Sequence, residues 1–160
     1  MIYTIHDQTD PFAALLKDDP VRPHIPAEQR FGANRQVFAL TENNIVSAVV
    51  CARFCKGIPS SEQELLENIE EPDTVVFYTI WSYKPGAGQR LLQEGLKKVQ
   101  AELPNVKRFV TLSPPTDMAR RFHIKNGASV FRVNSDTVNY EYGEKILYVF
   151  GSINTSSSAD

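Results

Sequence analysis

The segment TVVFYTIW, residues 74–81, constrains this chain more than any other feature. Read as a strand it is apolar on both faces, so it must lie inside a sheet that is covered on both sides. SYKPGAG breaks the run. Behind it, in residues 89–103, Leu92, Leu96, Val99 and Leu103 recur at helical spacing until Pro104 stops the pattern. Residues 106–113, VKRFVTLS, read as a further strand. Thr116 or Asp117 can then cap a helix that runs to Asn126, with Gly127 as its stop.

The flanking segments extend this pattern. RQVFAL (35–40) and NIVSAVVCARF (44–54) are β-rich and joined by TENN, which predicts a hairpin. Strict alternation places Val46, Ala48, Val50, Ala52 and Phe54 on one face, and Val49, Cys51 and Arg53 on the other. Residues 60–71 read as a helix capped by Ser60 or Ser61 and ended by Pro72. ASVFRVN (128–134) and EKILYVF (144–150) are expected as the last strands. The first 30 residues hold Pro11, Pro20, Pro23 and Pro26 and read as a short helix followed by an irregular arm. Residues 31–150 form the expected domain, and 151–160 a disordered tail. The expectation is an α/β chain whose mixed (α+β) sheet carries helices packed against it.

Composition excludes several partners. With 17 basic and 19 acidic residues the net charge is −2, so no global field recruits nucleic acid or anionic lipid. No apolar run approaches a membrane span. The start, MIYTIHDQTD, lacks the features of a secretion signal. Cys51 and Cys55, four residues apart on a strand, are separated by about 13 Å, too far for a disulfide. Two reduced thiols fit a cytoplasmic location, and they are too few for a metal site. A homodimer is possible.

The turn WSYKPGAGQR leads from a buried strand into a helix. Gly86 and Gly88 let a ligand approach the backbone, and the N–H groups of Ala87, Gly88 and Gln89 would lie at the positive end of the helix dipole. Lys84 and Arg90 can add charge for a phosphate. The third glycine of a dinucleotide fingerprint is replaced by Leu91, and the Lys-Ser/Thr of a P-loop is absent. On its own the segment is equally a strand-to-helix turn built from Pro and Gly. Ser113 ends its strand, where open α/β sheets place ligands. On the 116–126 helix, Met118, Ala119, Phe122 and Asn126 form one apolar side, and about 100° per residue puts His123 at its boundary.

A glycine turn of this kind, set between a central strand and a helix, resembles the acetyl-CoA loop of the GNAT superfamily of N-acetyltransferases. In that fold two central strands splay and the pantetheine of an acyl-CoA lies between them. Several segments, FYTIWSY, KKVQAELPNVKRFVTLSP, FHIKNGA and FRVN, look more specifically like the carboxyl-terminal domain of malonyl-CoA decarboxylases. The resemblance spans roughly residues 31–142. It implies a GNAT-like acyl-CoA N-acyltransferase fold with splayed central strands and a coenzyme A thioester as substrate. Ser113 and His123 would be the catalytic pair, Ser113 orienting the carboxylate of a malonyl group and His123 protonating the product. Backbone N–H groups near Ile80 and Trp81 would hold the thioester oxygen. Arg132 and Asn134 match the family's Arg-x-Asn as scaffolding. The alternatives are transfer of an acetyl group from acetyl-CoA to an amine, and a CoA-thioester binding module without catalysis.

Overall fold

The computed structural model describes residues 1–67 and 70–143. Seven strands form one sheet: β1 (Ile2–Ile5), β2 (Arg35–Glu42), β3 (Ile45–Cys55), β4 (Thr74–Ser82), β5 (Arg108–Thr111), β6 (Ser129–Val133) and β7 (Val138–Tyr142). Their order is β1-β2-β3-β4-β5-β7-β6, with β4 and β5 parallel and every other neighbour antiparallel. The helices are α1 (Glu62–Leu65), α2 (Ala87–Glu102) and α3 (Asp117–Lys125), and a 3-10 helix spans Pro11–Asp18. Among the described residues no helix is long and apolar enough to cross a membrane.

The doubly apolar segment is indeed the central strand. Val75 and Phe77 of β4 face α2, where they join Leu91, Leu92, Leu96 and Val99 in one core cluster. Val76, Tyr78 and Trp81 face the other way, into a second cluster with Ala13, Leu16 and Ile25 of the amino-terminal arm, Phe31 just after it and Leu65 of α1. The arm therefore covers a face of the sheet. Residues 2–5, read from sequence as part of that arm, add an edge strand to it.

Strict alternation fails at two bulges. Leu40 pairs with Ala48 but Thr41 pairs with Val46, which leaves Ser47 as an extra residue. One inserted residue reverses the facing beyond it, so Val46 packs with Val49 and Cys51 rather than with Ala48 and Val50. In β4, Cys51 pairs with Thr79 and Ala52 with Phe77, so Tyr78 is the inserted residue.

Other differences have local causes. α1 is a single turn, capped by the Ser61 hydroxyl, which accepts from the Glu64 N–H at 3.2 Å. The acidic run Glu64, Glu67, Glu70 and Glu71 repeats like charges at helical spacing and disfavours continuation. VNYEY, in which Asn and Glu alternate with apolar residues, forms β7. The strand expected at 144–150 and the tail at 151–160 lie outside the described residues. Cys51 and Cys55 are free thiols, buried, and burial pushes both up to about 11.

Candidate functional site

The parallel pair opens at its carboxyl end. β4 and β5 are in register from Thr74–Arg108 to Phe77–Thr111, followed by a bond from the Leu112 N–H to the Phe77 carbonyl at 3.3 Å. Beyond that point Ile80 and Trp81 pair only with Val50 and Val49 of β3. Successive residues of a strand direct their N–H groups to alternate sides, so this stretch of β4 turns backbone donors toward the opening. The Trp81 indole donates to the Tyr83 hydroxyl at 3.0 Å, which donates to Asp18 at 2.7 Å. These bonds tie the strand end to the 3-10 helix.

α2 starts at the same end. Gly86 has φ = 81°, a left-handed conformation in which a side chain is strained. The Ala87 N–H bonds back to Lys84 and the Arg90 N–H to Gly86, both at 3.2 Å. The N–H groups of Gly88 and Gln89 have no partner among the described residues, and no side chain caps the helix. This leaves backbone donors and the helix dipole together, as an anion site requires. Lys84 and Arg90 converge on one acidic partner. Both bind Glu42 at the end of β2, with Lys84 Nζ 3.1 Å from Oε2 and Arg90 Nη1 2.7 Å from Oε1. Hydrogen bonding and charge from Lys84, then Arg90, hold the Glu42 carboxyl below its ordinary range. The register of the β2–β3 hairpin brings Glu42 there, and nothing in its own sequence neighbourhood signals it.

His123 lies at the centre of the buried face of α3, not at its boundary. It is 5% exposed, whereas Met118 is 75% exposed. Its ring stacks on Tyr140, with centroids 5.0 Å apart and planes at 28°, and meets Phe122 and Tyr142 edge-on. Nδ1 lies 2.8 Å from the Tyr142 hydroxyl. Burial pulls the imidazole down from 6.5 to about 4, so at neutral pH it is uncharged. Tyr140 and Tyr142 thus both pack in the core and build the surroundings of His123.

Ser113 follows β5 and is 4% exposed. Its backbone exchanges two 2.9 Å hydrogen bonds with Val138. Its hydroxyl donates to Thr111 Oγ1 at 2.8 Å, and that oxygen also accepts from the Tyr140 N–H at 3.1 Å. No direct hydrogen bond joins Ser113 to His123 among the described residues, and both meet Tyr140, one through Thr111 and one by stacking. The glycine turn reaches the helix bearing His123 through Phe122. A Cβ added to Gly88 would sit 3.7 Å from Phe122 Cε1 and 3.9 Å from Ser82 Cβ.

Arg132 and Asn134 hold loops. Arg132 Nη2 donates to the Ile58 carbonyl at 2.9 Å, and Asn134 Nδ2 donates to Thr137 and Asn139. Asn139 in turn donates to the carbonyls of Pro59 and Thr111, both at 2.9 Å.

The charged network under the arm has no counterpart in the sequence reading. Asp19 is buried and accepts from the Val21 and Arg22 N–H groups, the Thr79 hydroxyl and, at 2.7 Å, Arg30. Burial pushes its carboxyl up, but these hydrogen bonds outweigh burial and hold it below the usual range. Arg22 Nη1 donates to the Tyr78 carbonyl, and its Nε to Glu62 at 3.1 Å. His24 Nε2 lies 2.7 Å from the other Glu62 oxygen. The only sequence signal was a set of charges within a proline-rich segment, which a solvated loop would also carry. Among the described residues no cluster of three or more His, Cys, Asp or Glu side chains has metal-ligand geometry.

No protein-family model matches this chain, and no curated protein matches it. Solved structures do. A malonyl-CoA decarboxylase from Agrobacterium vitis superposes with a TM-score of 0.78 at 19% identity, covering 95% of this chain and 62% of that one. The loading GNATL domain of CurA from Lyngbya majuscula gives 0.66 at 15% identity, covering 92% and 99%. A putative acetyltransferase of the GNAT family from Desulfovibrio desulfuricans gives 0.61 at 17% identity, covering 89% and 98%. The chain has the GNAT fold, close to that of malonyl-CoA decarboxylase, and spans 62% of the length of that decarboxylase structure.

Proposed function

We propose that this chain binds a coenzyme A thioester and decarboxylates its malonyl group to an acetyl group. One observation carries the reading: Phe122 packs against Gly88, which joins the anion-binding turn to the helix bearing His123. In this account the phosphates of CoA lie on the backbone N–H groups from Gly86 to Gln89, with Ala87 in the turn and Lys84 and Arg90 at its rim. The pantetheine follows the open edge of β4, and the thioester oxygen meets the Ile80 backbone N–H, because Trp81 turns its own N–H to β3 as Tyr83 does toward Ser47.

The reaction breaks the bond between the α-carbon and the carboxylate. CO2 leaves, the electron pair passes to the thioester as an enolate, and one proton completes the methyl group. The Ile80 N–H at the opening stabilises the enolate oxygen. The Ser113 hydroxyl, turning its single O–H from Thr111 to the ligand, orients one oxygen of the carboxylate. His123 supplies the proton from Nε2, because Nδ1 is engaged by Tyr142. In this account the tyrosine O–H donates to Nδ1, the neutral ring carries its proton on Nε2, and donation to carbon leaves an imidazolate that the same tyrosine hydrogen bond stabilises. Solvent then restores the proton.

Acetyl transfer would need a path for an amine to the thioester. The arm packs over the face of β4 opposite α2, which favours an acyl group that reacts without a second substrate. The free thiols of Cys51 and Cys55 fit a cytoplasmic carboxy-lyase. The test is mass spectrometry of protein incubated with malonyl-CoA and no amine. Acetyl-CoA appearing at a rate proportional to protein supports the reading. Unchanged malonyl-CoA, with acetylation of an added polyamine or amino acid from acetyl-CoA, replaces it with acetyl transfer.

A further inference from the structure

We propose that Arg22 binds the free carboxylate of the acyl group and so selects malonyl over acetyl thioesters; this rests on the malonyl-thioester reading above. Arg22 is placed where that carboxylate would emerge. β4 and β5 stop pairing at Phe77 and Thr111, and the next carbonyl of β4, at the Tyr78 bulge, accepts from Arg22 Nη1. The guanidinium is held there from two sides. Its own backbone N–H is fixed by Asp19, which also accepts from Thr79 of β4. Its Nε is bound by Glu62, which begins α1. The loop before α1 is tied toward the other side of the opening, because Asn139 of β7 bonds both Pro59 and Thr111. The Arg22–Glu62 pair therefore bridges the arm and the loop tied to β7, on the face of the sheet opposite α2.

The donor inventory leaves room for a ligand. A guanidinium carries five N–H donors in a planar fork suited to a carboxylate. Arg22 commits one Nη1 hydrogen to Tyr78 and the Nε hydrogen to Glu62, and Nη2 has no partner among the described residues. The side chain is 6% exposed, so little bulk water competes for these donors. Glu62 is 33% exposed and divides its oxygens between Arg22 and His24. It neutralises Arg22 from the solvent side and leaves the Nη2 edge for a second carboxylate. An acetyl group offers nothing to that edge.

The test measures dissociation constants for malonyl-CoA and acetyl-CoA by calorimetry, in a His123→Ala background so that no turnover intervenes, alongside turnover of the otherwise unaltered protein. Arg22→Gln is expected to weaken malonyl-CoA at least tenfold and to leave acetyl-CoA within twofold, with Arg22→Lys intermediate. Glu62→Gln is expected to tighten malonyl-CoA severalfold without changing acetyl-CoA, and it decides the question if Arg22→Gln does not fold. Equal shifts for both thioesters, or none in either variant, overturn the proposal. Arg22-dependent preference for malonyl-CoA in a protein that shows no turnover would uphold it and refute decarboxylation.

Discussion

A buried neutral histidine makes stability depend on pH in one direction only. The His123 imidazole is held at about 4 in the folded chain by burial, against 6.5 for an exposed histidine. The unfolded chain therefore takes up this proton first as pH falls, and folding opposes it. The contribution is intact above 6.5, declines as pH falls through 6.5 toward 4, and is constant below that. The full difference corresponds to about 3 kcal/mol, and linkage between pH 7.5 and 5 gives a loss of about 2 kcal/mol. Urea unfolding of the parent and of His123→Phe at pH 7.5, 6 and 5 isolates this group, because other titrating groups cancel in the difference. The parent's stability relative to the variant is expected to fall by about 2 kcal/mol over that range. A difference that is flat, or that grows toward pH 5, would refute burial as the state of His123.

Four further outcomes follow from the same geometry. Gly86→Ala places a side chain at φ = 81° and is expected to lower unfolding free energy by about 1 kcal/mol. In Gly88→Ala the new Cβ meets Phe122 at an ordinary contact distance, so stability should stay within about 0.5 kcal/mol while calorimetry reports weaker CoA binding. Glu42→Gln releases Lys84 and Arg90 and is expected to tighten CoA by up to about tenfold, or 1.4 kcal/mol, an effect that salt should erode. Asp19→Asn removes the charge opposite Arg30 in a pair with side chains 0% and 1% exposed and should cost about 3 kcal/mol in denaturant unfolding.

The parts of this molecule that were legible in sequence were those governed by periodicity. The two-faced apolar pattern of 74–81 and the leucine spacing of 89–103 located β4 and α2, and Gly86 marked the turn between them. Three kinds of information were not available to periodicity. Single-residue insertions at Ser47 and Tyr78 leave no compositional trace, yet the first moved Val46 to the opposite core. Short strands such as IYTI and VNYEY are defined by their neighbours rather than by their own alternation. The spacing of α3 places Met118 on its apolar side, which shifts the expected centre of that side away from His123. The first turn of that helix is exposed, and removing Met118 recentres the stripe on Ala119, Phe122, His123 and Asn126. At the candidate site the residues contributed by the central strand, the turn and α3 were readable. Glu42, Arg22 and Glu62 were not, because each acts on residues about 40 or more positions away, through sheet register or arm packing.

The central claim is that Ser113 and His123 act together on a thioester held by the glycine turn. The direct measurement is malonyl-CoA turnover by the parent, Ser113→Ala and His123→Ala, with CoA affinity of each determined by calorimetry. The account predicts acetyl-CoA from the parent, at least a hundredfold slower production by either variant (about 2.7 kcal/mol of barrier), and CoA affinity unchanged in all three. Variants that turn over malonyl-CoA as fast as the parent while still binding CoA would contradict it.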